Sequence, residues 1–424
     1  MTHASDHPVV ARLRSQITSD PTFAGYLESS ILLARERGRQ TLDPALYEAL
    51  NDQAYNCWPL TLTGYLDYLN GFLQLIPREN QNLDVWKDPA SGYSQEVYDR
   101  LCQFYWLIDQ QTPVIPDDIG VVQNYRDGDF VFALWLDDYA KAWGTFLDSP
   151  ESLTAETLQS FWDDPSYQVG NSSQYADTWR SFNDFFSRQL NPGLRPITSP
   201  NGNVQIVAPA DCTYRQTFPI AEDGTIPAIT IKQTHTVATV AQLLQDDALA
   251  AHFHGGTFVH YFLTPYNYHR FHAPVNGTVD ESRVVQGQAY LGVDITGDGQ
   301  FDAPDASNAE GSPDGSSGYE FLQTRGVLVI DTSSHPDPAQ RIGRVAVAPI
   351  GMAQVSGVVM NAKVGDTIAK GAEFGHFLFG GSDIILLFER DADLTLVTTD
   401  SDAAQTPFAF HYGNVVAYWN GRRD

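Results

Sequence analysis

The sequence predicts an α+β protein, with a helical domain over residues 1–175 followed by a β-rich domain over 176–424. Three observations lead there. A chain of 424 residues is long enough for two or three domains. Up to about residue 190 apolar residues recur at helical spacing, and beyond Pro192 the chain breaks into short Val/Ile/Thr-rich runs separated by Gly, Pro and Asp.

In the first part, Asp20-Pro21 reads as an N-cap and first-turn proline, with helical spacing through Leu33. Helices are also expected within 58–76, 94–109, 129–147 and 174–190, each with an aromatic-rich face. Such stripes are core, and no chemistry is assigned to them. In the second part, strands are expected within 203–214, 257–271, 325–333 and 341–360. Residues 292–320 are dominated by Asp, Gly, Ser and Pro and read as a long acidic loop of the kind that forms a lid or binding loop or is disordered. Residues 351–389, with Val-Gly-Asp at 364–366 and Lys-Gly at 370–371, resemble the barrel-sandwich hairpins of biotinyl and lipoyl carrier domains. Lys363 lacks the flanking Met of a carrier lysine, so carrier function is not expected.

Composition excludes several classes. A formal charge of -27 opposes nucleic acid and anionic membrane surfaces, both bound largely through Lys and Arg. The three cysteines, Cys57, Cys102 and Cys212, form neither a disulfide framework nor a zinc ribbon. His252, His254 and His260 do not complete a zinc set. With no basic-then-apolar leader and no run of 18 apolar residues, a soluble cytoplasmic protein is expected.

Three strings can be read as one site. Pro209-Ala210-Asp211-Cys212 places an acid just after a β-run. Tyr268-His269-Arg270-Phe271-His272-Ala273-Pro274 carries two histidines three apart. Phe379-Gly380-Gly381-Ser382-Asp383 gives a serine two preceding residues without Cβ, which permits unusual backbone angles and lets the hydroxyl approach the preceding carbonyl. Singly, each has an ordinary explanation as a turn, cap or structural histidine.

Together, in this order and spacing, they resemble the phosphatidylserine decarboxylase superfamily. Phe185-Phe186-Ser187-Arg188-Gln189-Leu190 with Arg195-Pro196-Ile197 matches the start of that family's catalytic domain. The helical first part is similar to the extra domain of soluble members such as tryptophan decarboxylases. The resemblance implies self-cleavage between Gly381 and Ser382, with Ser382 becoming a pyruvoyl group that replaces pyridoxal phosphate. It also implies His272 as the base, Asp211 as the group that orients it, and His269 as the proton donor during decarboxylation. Fragments 1–381 and 382–424 are then expected to stay associated, in a monomer or a homo-oligomer.

Two residues depart from the family pattern. Asp383 stands where Ser or Thr is usual, and Cys212 where glycine is more often found. A carboxylate at 383 would either repel the developing oxyanion or point into solvent.

A free L-amino acid, aromatic first, is the expected substrate. The acidic chain offers no apolar anchor, and Tyr268–Gly277 resembles tryptophan decarboxylases. Phosphatidylserine is the alternative, and an uncleaved ligand-binding protein is a third reading. Asp294, Thr296, Asp298 and Asp302, with Gly299 between, approximate the first nine positions of a calcium loop, with Asp305 at the twelfth. Calcium there competes with a solvated acidic lid.

Overall fold

Proline and aspartate decide where the first helices begin. Pro8–Ser19, Pro21–Thr41 and Pro44–Ala49 each start on a proline, whose missing N–H costs nothing at that position. Asp20 accepts from the N–H groups of Thr22 and Phe23, and Asp43 from those of Ala45 and Leu46. The computed structural model describes residues 6–51, 58–80, 84–88, 92–231, 236–302, 318–351, 357–379, 382–400 and 408–422.

The chain divides into two compact units. One comprises residues 1–170, 179–184 and 288–304; the other comprises 171–178, 185–287 and 305–424. In the first, the aromatic stripes become the core as expected. Phe72 of helix Leu62–Phe72 lies 5.0 Å from Phe104 of helix Glu96–Trp106 and 5.0 Å from Trp143 of helix Phe132–Leu147. Such rings bury large areas in offset or edge-on contacts.

Two expectations change here. The 174–190 stretch is not one helix: a 3-10 run, Val169–Thr178, is followed by a single short helix, Phe182–Phe186. Its aromatic spacing serves packing, since Phe182, Phe185 and Phe186 are all buried. The acidic loop also differs from a free lid. Asp294–Ile295 pairs antiparallel with Phe301–Asp302. Phe301 is buried near Trp106, the Asp43 N–H reaches the Gly299 carbonyl at 2.9 Å, and the Val293 N–H reaches Asp109 at 2.8 Å. Residues 303–317 of that loop lie outside the described residues.

The second unit is built on an eight-stranded antiparallel sheet. Its order is Thr367–Ile368, Gly277–Val285, Arg325–Asp331, Arg344–Gly351, Ser382–Phe388, Thr257–Leu263, Cys212–Pro219 and Ala409–Phe410. A smaller sheet joins Val358–Met360, Glu373–Phe377 and Arg270–His272. Between the 358–360 and 373–377 strands, Gly365 and Gly371 take the positive φ values that the Val-Gly-Asp and Lys-Gly turns require.

Successive strand residues face opposite sides. Ile385 and Leu387 therefore share one face with Phe258, Val327, Ala346 and Ala348, packed under helices Val240–Leu244 and Asp247–Ala250. Strand Ser382–Phe388 is buried along its whole length because it lies between two central strands. At its far end Gly256 meets the Phe388 carbonyl so closely that an added Cβ would sit 2.0 Å from it.

Ile385→Ala is expected to cost about 2–5 kcal/mol, read as a lowered urea midpoint, because the core can collapse only partly around the lost methyls. Val364→Ala, on an exposed turn, should stay within about 0.5 kcal/mol of wild type.

Candidate active site

Ser382 opens the central strand at zero exposure, in register with Gly351 on one side and Leu263 on the other. Its Oγ lies 3.4 Å from Nδ1 of His269. The other ring nitrogen of His269, Nε2, lies 3.2 Å from the Pro265 carbonyl, an acceptor that can only receive a proton. That contact selects the tautomer with hydrogen on Nε2 and leaves a lone pair on Nδ1 facing the serine.

The motif that begins at Phe185 makes the wall of this site. Phe186 stacks on the His269 ring at 4.0 Å, and Phe379 meets Phe186 edge-on at 5.2 Å. Arg188 donates to the carbonyls of Tyr266 and Asn267, just before the histidine. Burial first, and then the Arg188 charge, lower the His269 pKa to about 3, so the ring is neutral at ordinary pH. A buried hydroxyl beside a neutral imidazole lone pair is an arrangement suited to drawing a proton from serine.

The second histidine is committed elsewhere. His272 Nδ1 donates to the Gly371 carbonyl at 2.9 Å, and its Nε2 accepts from the Tyr268 hydroxyl at 3.0 Å. Its ring stacks on Tyr412 at 3.7 Å. Asp211 is held by Arg195 through both carboxylate oxygens, and also accepts from the Tyr412 N–H at 2.9 Å and from His411 at 3.2 Å. Burial raises the Asp211 pKa, but these partners outweigh it and hold the group below the usual carboxylate range. The expected Asp211–His272–Ser382 relay is thus not the set of contacts formed: Ser382 meets His269, and Asp211 meets Arg195, His411 and Tyr412. Gly381, the other side of the expected cut, lies outside the described residues.

The phosphatidylserine decarboxylase family model matches residues 182–409, more than half of the chain. This chain belongs to that family. The phosphatidylserine decarboxylase proenzyme of Fusobacterium nucleatum is 31% identical over 249 residues, covering 59% of this chain and 72% of that protein. Decarboxylase iboD of Amanita muscaria is 29% identical over 274 residues, covering 60% and 76%. The phosphatidylserine decarboxylase proenzyme of Shewanella pealeana is 31% identical over 255 residues, covering 57% and 81%. Members of the family are carboxy-lyases made as proenzymes, with a pyruvoyl group derived from a serine. The residues here fit such a group. Ser382 is a dry, central serine whose oxygen already faces an imidazole.

The family departure at Asp383 has an unexpected setting. By strand alternation its side chain leaves the sheet on the face opposite Ser382, and it is fully buried instead of pointing into solvent. Tyr319 donates to Asp383 at 2.7 Å, and His260 Nε2 stands 3.1 Å from its other oxygen. His260 had no role in the sequence reading beyond an incomplete zinc set, because its partner is 123 residues away. Asp305, the twelfth position of the expected calcium loop, lies outside the described residues. Asp294, Thr296, Asp298 and Asp302 form a hairpin in which Thr296 bonds Asp298 and the Gln300 carbonyl. Among the described residues no three His, Cys, Asp or Glu side chains converge to hold a metal.

Burial also lowers the His272 pKa to about 4. Neither His269 nor His272 should therefore protonate between pH 5 and 8 in an NMR titration; a midpoint near 6.5 for either would contradict the geometry. The unfolded chain binds protons near pH 6.5 that these folded rings refuse, so the two histidines destabilise the fold as pH falls below that value.

Proposed function

We propose that this chain cuts itself between Gly381 and Ser382 and that the pyruvoyl group so formed from Ser382 serves the decarboxylation of a free L-amino acid, aromatic side chains first. The observation that carries the reading is the buried 3.4 Å approach of Ser382 Oγ to the unprotonated Nδ1 of His269. Ser382 Oγ attacks the Gly381 carbonyl carbon while its proton passes to His269. The proton then goes to the Ser382 nitrogen as the amide bond breaks, leaving an ester. Loss of the Ser382 α-proton breaks the Cβ–Oγ bond, releases Gly381 as a carboxylate and leaves dehydroalanine at 382. Water replaces its nitrogen, which departs as ammonia.

The pyruvoyl group supplies the electron-withdrawing carbonyl that takes up the electron pair released with carbon dioxide. His269 Nδ1, beside position 382, takes the proton that the substrate's ammonium group sheds on joining the pyruvoyl ketone and returns it to the carbon that has lost carbon dioxide, and the rings of Phe186 and Phe379 keep water away. His272 acts in this reading through Tyr268 and Tyr412 as a packed element of the wall.

A soluble amino acid is favoured over a phospholipid by the charge of -27, which opposes an anionic bilayer. Among the described residues no helix is long and apolar enough to cross a membrane. The buried thiol of Cys212 suits a reducing, cytoplasmic setting. Phosphatidylserine is the second reading, favoured by the 31% identity to the Fusobacterium protein of that name. The third reading, an uncleaved binding protein, depended on Asp383 opposing the serine, and Asp383 lies on the other face of the sheet.

Intact mass of the purified protein should give two pieces that meet at 381/382, and Ser382→Ala one piece. His269→Gln is expected to slow the cut by about 100-fold or more, and His272→Gln by less than tenfold. The reverse order returns the base role to His272. Carbon dioxide release from free aromatic amino acids, with none from phosphatidylserine vesicles, is the expected outcome for substrate.

A further inference from the structure

The polar cluster behind Ser382 takes no part in the steps above. We propose that Asp383 is a positioning residue that, through His260 and Tyr319, holds the leading end of the 382–388 strand in register once its covalent link to residue 381 is gone. This rests on the self-cleavage reading.

New chain ends fray unless tied down. Here the end is weakened further, because residue 382 surrenders its nitrogen and side-chain oxygen as the pyruvoyl group forms. Asp383 becomes the first residue that still has both an amide N–H and a side chain able to anchor the strand. Its anchors come from two elements. His260 belongs to the neighbouring strand Thr257–Leu263, two pairs further along the ladder, and Tyr319 opens the short helix Tyr319–Phe321. Glu320 stands 3.6 Å from the far nitrogen of His260. The Arg215 guanidinium lies 4.5 Å over the ring of Phe262, the register partner of Asp383.

Two acids are thereby set against an imidazole and a guanidinium inside an otherwise apolar face that includes Ile385, Leu387 and Phe258. Burial pushes the His260 pKa down, yet Asp383 and Glu320 outweigh it and leave it above its ordinary value. A buried ionic cluster is a poor source of stability compared with apolar packing, and its best-attested use is to fix register. Register is what position 382 needs. A slip of one residue would turn Asp383 to the serine's face, strip it of His260 and Tyr319, and move residue 382 away from His269.

Hydrogen exchange read by mass spectrometry on peptides beginning at 382 tests this on the full-length purified protein. In the cleaved protein, Asp383→Asn should speed exchange at the leading amides of the strand by about tenfold or more. In the uncut Ser382→Ala background the same change should speed it by less than about threefold. His260→Gln should reproduce both results, and the double variant should add little to either single one. Equal acceleration in cut and uncut chains, or none in either, overturns the proposal and leaves Asp383 as ordinary core. Should Asp383→Asn fail to fold, His260→Gln in the same two backgrounds decides. A wild type that stays in one piece overturns the self-cleavage reading, and this proposal with it; a cut wild type with equal acceleration overturns this one alone.

Discussion

Ser382 stands at the head of a strand with a paired neighbour on each side and no exposed residue along its length. Burial there shuts polar groups off from bulk solvent, so each is best served by a protein partner or by staying neutral. The two polar residues at the strand's head meet the constraint in opposite ways. The serine faces a histidine kept neutral by burial and by the charge of Arg188. The aspartate, one residue on, faces a histidine whose protonated form is favoured by two carboxylates. Strand alternation alone separates these environments, and a helix could not divide adjacent residues so completely.

The same constraint explains the aromatic wall. A neutral imidazole in a dry site needs a fixed tautomer and a fixed plane. The Pro265 carbonyl supplies the first, and the stacked ring of Phe186 the second. Arg188 ties down the loop that carries the histidine, and its charge discourages protonation of the ring. The string Phe-Phe-Ser-Arg therefore governs both the shape and the basicity of the site.

Much of this was legible in the sequence, and the failures have physical causes. The change near residue 190 from helical spacing to short Val/Ile/Thr-rich runs broken by Gly, Pro and Asp marks a real change of architecture, because helical spacing gathers side chains on one face while short β-branched runs suit paired strands. The 174–190 aromatics mislead because burial of Phe182, Phe185 and Phe186 does not require a continuous helix. The 294–302 run reads as open loop because its hairpin is held by contacts remote in sequence: buried Phe301 near Trp106, the Gly299 carbonyl on the Asp43 N–H, and the Val293 N–H on Asp109. Between His269 and His272 local spacing cannot choose. Their ring nitrogens are assigned by the carbonyls of Pro265 and Gly371 and by the Tyr268 hydroxyl, and Gly371 is remote in sequence. Asp211 reads as a turn acid, but its partners Arg195, His411 and Tyr412 come from both directions along the chain. The family departure at 383 was visible; its partner His260 was not, since only the register of two strands brings them together.

The strands that follow residue 382 are dispersed through the β-rich unit. Ser382–Phe388 fills the middle of the large sheet and Ala409–Phe410 one edge of it, while Val415–Arg422 lies between Ala392–Leu396 and Gln205–Val207. A chain cut before this segment would remain interwoven, with Asp211 gripping Tyr412 across the break. Once unfolded, however, it would have to find its partner as a separate molecule. What the precursor assembles as one polymer would become a two-body encounter, with yield dependent on concentration and with a 43-residue partner too short to hold its strands alone. The mature protein would then be a product of its history: it could persist for as long as it stays folded, yet lack the single-chain route by which it was made.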